Sequence, residues 1–221
     1  MSCNNLLSEA EAMQKEFIEI RRYLHSHAEV GFSLPHTMGL VYAKLREYGY
    51  APERCGKAGI TAVAGKEGKT FLLRADMDAL PISEETELDF SAVNGNMHAC
   101  GHDMHTAMLL CAAKLLKLHE AELDGTVKLM FQPAEETLSG AFDMLSSGVL
   151  DPFIHPLLFR VFKRALIFFP AHLKHLYLTQ LSTRQCLKKL ICTVFLMTFM
   201  KNTASVVTVC MAHLTALLQV K

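Results

Sequence analysis

Residues 98–105 bring three imidazoles, one thiol and one carboxylate together within eight positions. Sulfur and nitrogen donors at this spacing suit zinc or a similar divalent transition ion. Cys100 and His102 can converge on one ion, and His105 follows within reach, whereas His98 fits better as a neighbour than as a ligand. A single buried histidine is usually structural, but four ligand-type side chains within residues 100–105 favour a metal site.

Two acidic pairs follow short apolar runs elsewhere in the chain: Asp76 with Asp78, and Glu135 with Glu136. The carboxyl ends of buried strands are where open α/β sheets place their chemistry. Adjacent carboxylates point in different directions, so one can bind metal while the other takes a proton from water. Two structural alternatives stay open, namely a capped turn before a proline for the first pair and an acidic helix start for the second.

The hydrophobic pattern predicts the elements that position these side chains. Four helices are expected over 8–24, 36–48, 106–119 and 138–145, and strands over 60–65, 70–75 and 126–131. Ser8 is expected to cap the first helix, and a short turn predicts that the first two strands form a hairpin or lie side by side. His25 and His27, in a loop leaving the first helix, fit surface or supporting roles better than ligation. Glu84, within a polar stretch, is expected to be solvated.

The chain changes character near position 151. Residues 1–151 hold 13 basic and all 22 acidic side chains (net −9), whereas residues 152–221 hold nine basic and no acidic side chains (net +9). All 12 glycines also lie before residue 152. Soluble segments normally carry both signs of charge and about 7% glycine. We therefore predict one domain over 1–151 and an atypical basic, apolar tail of unknown structure over 152–221.

Composition also limits the expected location and partners. Seven cysteines in no regular framework, and a start without a basic region or an apolar core, predict a cytoplasmic protein in a reducing environment. The uncharged run over 202–220 is interrupted by polar residues, so a membrane span is not expected. Nucleic acid is not an expected partner, because the acidic domain and the tail lack the basic and aromatic patterns of known modules.

Four stretches of the chain resemble motifs of one amidohydrolase family and occur in the same order. They are residues 22–29, 73–81, 97–107 and 131–136, the last followed by Gly140 and Ala141. The family includes hippurate hydrolase, N-acyl-amino-acid amidohydrolases and indole-acetic-acid–amino-acid hydrolases, within the aminoacylase and carboxypeptidase group of metalloenzymes. The resemblance extends to about residue 151. It implies part of an α/β catalytic domain of the metallo-aminopeptidase type, with a mixed sheet flanked by helices.

By this resemblance the metal ligands would be Cys100, His102 and Glu136, and Glu135 would be the general base that acts on water. The implied reaction is hydrolysis of the amide bond of a small N-acyl amino acid, either hippurate-like or acetyl-amino-acid-like. Intact members of the family bind two divalent ions per site, and manganese, zinc, cobalt and nickel are the possible ions.

Three more side chains, Asp76, Asp78 and His105, would support the site rather than bind metal. Members of the family are longer, supply two further ligand histidines, and form homodimers through an inserted α/β domain. None of these features is recognisable after residue 151, and His155 and His172 lack family-like neighbours. We therefore expect an amino-terminal fragment joined to unrelated residues, from a truncated or frameshifted gene, with weak activity or none.

Two other functions stay open. The chain could be a non-catalytic metal-binding or interaction protein whose tail binds a partner or a membrane surface. Structural zinc sites usually have four ligands, often from Cys-x-x-Cys pairs, and the chain has no such pair, which favours an open catalytic site. A thiol hydrolase with Cys100 as nucleophile is the weaker alternative, because sulfur among histidines and carboxylates is better explained as a ligand.

Overall fold

The computed structural model describes residues 3–151 and one further strand, Thr208–Cys210. The helices are α1 (Cys3–Ser26), α2 (Pro35–Glu47), α3 (His102–Leu118) and α4 (Gly140–Ser146), with a single 3-10 turn at Glu120–Glu122. The strands are β1 (Glu53–Cys55), β2 (Gly59–Gly65), β3 (Lys69–Asp76), β4 (Gly125–Gln132) and β5 (Thr208–Cys210). Within this described part of the chain, every helix is too short or too polar to cross a membrane.

The strands form one mixed sheet in the order β1-β2-β4-β3-β5. Strand β4 pairs antiparallel with β2 and parallel with β3, and α3 connects β3 to β4 as a crossover helix. The expected hairpin or direct pairing of β2 with β3 is wrong, because β4 lies between them. Strand β4 is buried along most of its length, and a strand that is covered on both faces is favoured at the centre of a sheet. That long-range preference cannot be seen in the local turn sequence.

Alternate residues of β4 serve two apolar clusters, as the two-residue period of a strand requires. Leu129 and Phe131 are fully buried in the larger cluster, which holds the apolar faces of α1, α2 and α3. Met130 lies in a smaller cluster with Met144 of α4. Helices therefore cover the sheet, and the expected α/β class with a mixed sheet is confirmed.

Three helices start two or more residues away from their expected positions. Helix α1 runs from Cys3 through Ser8, so Ser8 does not cap it. No glycine or proline is present in the preceding residues to stop the helix. Helix α4 begins two residues later than expected, because Leu138 has a left-handed backbone with φ of 55°. Helix α3 begins at His102, four residues earlier than expected.

Candidate metal centre

The early start of α3 fixes the orientation of His102. Gly101 precedes the helix in the left-handed conformation, with φ of 79°, which favours glycine. The Nδ1–H of His102 then donates to the backbone carbonyl of Asp78, 2.7 Å away. This bond fixes the orientation of the ring and leaves Nε2 as the nitrogen that can bind metal once it has lost its proton.

Asp78 also positions the two glutamates that follow β4. Its side chain is fully buried, and its two oxygens accept the backbone N–H groups of Glu135 (2.9 Å) and Glu136 (3.2 Å). Ala134, immediately before them, has a left-handed φ of 52°, so the chain turns sharply at the end of β4. One aspartate therefore joins the ends of β3 and β4 to the start of α3.

Three potential ligands meet at this junction. The ligand atoms of Cys100, His102 and Glu136 lie within 4.8 Å of one another. The Oε1 atom of Glu136 lies 3.8 Å from Nε2 of His102 and is buried, with no hydrogen-bond partner within the described residues. A thiol, an imidazole and a carboxylate with an unpaired buried oxygen suit a divalent transition ion, so the donor set fits the expected metal.

A second group of potential ligands shares His102. It consists of Asp76, His102 and His105, all buried, with ligand atoms within 4.8 Å of one another. The Nδ1–H of His105 donates to Oδ1 of Asp76 at 2.5 Å, and Arg74 lies 3.2 Å from the other oxygen of Asp76. Burial alone would raise the pKa of Asp76, but the His105 hydrogen bond and the Arg74 charge hold that pKa below its usual range. Asp76 therefore remains an anion that orients His105.

Glu135 is close to the three potential ligands but outside their group. Its Oε2 atom lies 3.9 Å from Nε2 of His102, and about one third of its side chain (35%) is exposed. Burial, together with the nearby Asp76 charge, raises the pKa of Glu135 above its usual value. A carboxylate with a raised pKa that borders on solvent is suited to accept and return a proton.

The ligand groups themselves hold their protons tightly. Burial lowers the pKa of His102, but the Asp78 hydrogen bond and the Asp76 charge outweigh it and raise that pKa to about 9. Loss of hydration and the adjacent Glu136 carboxylate raise the pKa of the Cys100 thiol to about 12. A thiol with a raised pKa is a poor nucleophile, which counts against the thiol-hydrolase alternative.

Among residues 3–151, His102 and His105 are the histidines that belong to a ligand group. His98 is buried, and neither of its ring nitrogens has a hydrogen-bond partner among the described residues. His25 lies within α1, not in a loop, and His27 stacks on Tyr23 at the end of that helix. His155 and His172 lie outside the described residues.

The expectation that Glu84 is solvated is wrong. Its side chain has no exposed surface and accepts a hydrogen bond from His25 at 2.8 Å. Its other oxygen accepts the N–H of Ala92. The acidic run around Glu84 hid this pairing, because the partner histidine lies 59 positions earlier in the chain.

A thiol, an imidazole and carboxylates thus lie together beside the central strands of an α/β domain, an arrangement typical of metallopeptidases. Residues 72–179 match the model of Peptidase family M20/M25/M40, so the chain carries an M20 family domain. It is 45% identical to a hippurate hydrolase of Campylobacter jejuni over 67% of this chain and 39% of that protein. It is 44% identical to an N-acetylcysteine deacetylase of Bacillus subtilis over 64% of this chain and 38% of that protein.

A solved structure agrees with the fold. A dinuclear metal-binding peptidase of the M20 family from Bacillus subtilis superposes with a TM-score of 0.61 and 43% identity. The match covers 64% of this chain and 41% of that one. The chain thus spans about two fifths of the length of the relatives that it matches.

Proposed function

We propose that this protein is a metal-dependent amidohydrolase that cleaves the amide bond of N-acyl amino acids, with substrates that resemble hippurate or acetyl-amino acids. The observation that carries the proposal is the meeting of Cys100, His102 and Glu136 within 4.8 Å, with Glu135 beside them. The relatives named for hippurate and N-acetylcysteine support the substrate class.

Cys100, His102 and Glu136 would hold a divalent ion, and manganese, zinc, cobalt and nickel all suit such mixed donors. When bound, the ion would polarise the substrate carbonyl and make water more acidic. The Asp78 carbonyl already orients the His102 ring for this role, with Nε2 as the nitrogen available to the ion after deprotonation. The relative described as dinuclear supports two ions in an intact site, and the three residues named here would contribute to one of them.

Glu135 would be the general base. It would take the proton of the attacking water and return it to the leaving amine. Asp78 would fix the backbone from which both glutamates project, because it accepts their two N–H groups. Asp76 would support the site through His105, with which it shares a 2.5 Å hydrogen bond.

We also propose the division of the chain inferred from composition. Residues 1–151 would be the amino-terminal part of the catalytic domain, and residues 152–221 a tail of different origin, as in a truncated or frameshifted gene. Location in the cytoplasm belongs to the same proposal. Sequencing the coding DNA in independent isolates tests it, because one intact reading frame in all of them would exclude a frameshift.

The decisive comparison is between the full chain and Glu135→Gln, assayed for bound metal and for hydrolysis of hippurate and N-acetyl amino acids. We expect Glu135→Gln to keep its metal and lose about 10²–10⁴-fold in kcat. Glu67→Gln, in an exposed turn, is the matched control and should retain activity. Metal bound without activity in either protein would instead support the non-catalytic metal-binding alternative.

A further inference from the structure

A buried network of charges lies behind the candidate metal centre and links three segments of the chain. It joins α1, the first turn of α3, and the loop before α3. Its members are Arg21 and His25 of α1, Asp103 of α3, and Glu84 of the loop. The side chains of Asp103 and Glu84 have no exposed surface, and that of His25 is only 5% exposed.

His25 is the centre of this network. Its Nδ1–H donates to Oδ2 of Asp103, and its Nε2–H donates to Oε1 of Glu84, both at 2.8 Å. Arg21 forms a second ion pair with the same Asp103 oxygen, with its Nε atom 2.7 Å away. Carboxylate oxygens accept hydrogen bonds, so both ring nitrogens act as donors. The hydrogen bond to Asp103 outweighs burial and raises the pKa of His25, which agrees with this arrangement.

A buried network of this kind contributes little to net stability. Removing several charged groups from water costs about as much as their mutual attraction returns, and well-packed apolar groups are often equally stable in their place. Its hydrogen bonds are directional, however, so they fix the relative positions of the segments that the network joins. Here the segment that is fixed is the first turn of α3, because Asp103 belongs to that turn and is the neighbour of His102.

The same turn carries the donor set. Cys100 and His102 are separated only by Gly101, and the N–H of His105 closes the turn onto the carbonyl of Gly101 at 3.1 Å. A shift of Asp103 would therefore move the backbone of Cys100 and His102 relative to Glu136, whose N–H is bonded to the Asp78 side chain and not to Asp103. Metal-ligand distances tolerate only about 0.2 Å of error.

We infer that Arg21 and His25 are positioning residues for the metal centre: by holding Asp103 they set the distance of Cys100 and His102 from Glu136. This inference rests on the proposed metal site. Helix α1 would then control the affinity for metal and the geometry of the bound ion, although it supplies no ligand.

The first test replaces His25 by two amides that mimic different halves of its ring. The amide nitrogen of His25→Asn replaces Nδ1 and can still donate to Asp103, whereas that of His25→Gln replaces Nε2 and reaches only Glu84. In Co²⁺ titrations of the full chain, we expect His25→Gln to bind about 10-fold more weakly and with altered cobalt absorption bands. His25→Asn should stay within about 3-fold of the wild type, although it leaves the larger gap in the core. Equal affinities for the two variants, or the reverse order, would overturn the inference.

The second test uses two adjacent arginines, so that the answer does not depend on a core substitution. Arg21 and Arg22 both lie 5.1 Å from the centre of the Phe90 ring, but only Arg21 contacts Asp103. Arg21→Met should weaken Co²⁺ binding about 10-fold, and Arg22→Met, which removes the same charge and ring contact, should not change it. Equal effects of the two would contradict a positioning role. If the wild-type chain binds no Co²⁺, the proposed function itself fails, which is a result distinct from either outcome.

Discussion

The two ends of the paired strands β3 and β4 are held together in different ways, one by close backbone packing and the other by buried polar side chains. At the end where Lys69 lies opposite Gly125, the backbones pack so closely that a Cβ on Gly125 would collide with the carbonyl of Lys69. The charges there, Lys66 and Asp124, are mostly exposed. At the other end, where Asp76 lies opposite Gln132, both polar side chains are buried, and Arg74 contacts each of them.

The difference separates two kinds of constraint. Where the backbones pack closely, only glycine fits because it has no side chain. A substitution there should therefore lower the free energy of unfolding. Buried directional hydrogen bonds hold specific atoms in place, so a substitution there should affect metal affinity more than stability. We therefore expect substitutions at the two ends to have separable effects on metal affinity and on stability.

The largest effect is expected from pH on metal affinity. The pKa values of His102 (about 9) and Cys100 (about 12) both lie above neutrality, and both groups must lose a proton to bind metal. Binding at pH 7 to 8 should therefore release about two protons, and the apparent affinity should rise about 100-fold for each unit increase in pH. Calorimetry in buffers of different ionisation enthalpy counts the released protons, and a count near zero would exclude these two ligands.

Asp78→Asn should lower metal affinity by about 10- to 100-fold. An amide has only one acceptor oxygen, so one of the N–H groups of Glu135 and Glu136 would face an NH₂ group. Asp143→Asn is the matched control, because Asp143 also accepts a backbone N–H, that of Lys57 at 2.7 Å, but outside the centre. Equal losses of Co²⁺ affinity in the two variants would show that Asp78 has no special role.

Gly125→Ala should have the smallest effect on the metal centre. The new methyl group would press on the backbone of Lys69 and lower the free energy of unfolding by about 1–3 kcal/mol. Denaturant unfolding measures that loss, and Co²⁺ titration of the folded variant should match the wild type. A change in metal affinity would mean that the two ends of the strands are coupled.

The sequence predicted the site better than the arrangement of the sheet. Cys100, His102 and Glu136 were identifiable because their residue types are unusual at that spacing, and the structure brings them together. Their roles stay predictions. The place of β4 between β2 and β3 was not predictable from short-range patterns, because pairing of distant strands depends on burial of the whole sheet.

The supporting contacts were only partly predictable. Asp76 and Asp78 were expected beside the site, but the two N–H bonds that Asp78 accepts depend on the left-handed turn at Ala134. The pairing of His25 with Asp103 joins residues 78 positions apart, and each residue alone resembles an ordinary surface group. Contacts of this kind follow from the packing of α1 against α3, which no local pattern specifies.

The most direct test of the central claim is the absorption spectrum of the Co²⁺-loaded full chain. Thiolate coordination should give a sulfur-to-cobalt charge-transfer band that is lost in Cys100→Ser, weakened in Glu136→Gln, and retained in Glu135→Gln and in Cys111→Ser. A band that persists in Cys100→Ser, or one that disappears in Glu135→Gln, would contradict a centre in which Cys100, His102 and Glu136 bind the metal and Glu135 remains free.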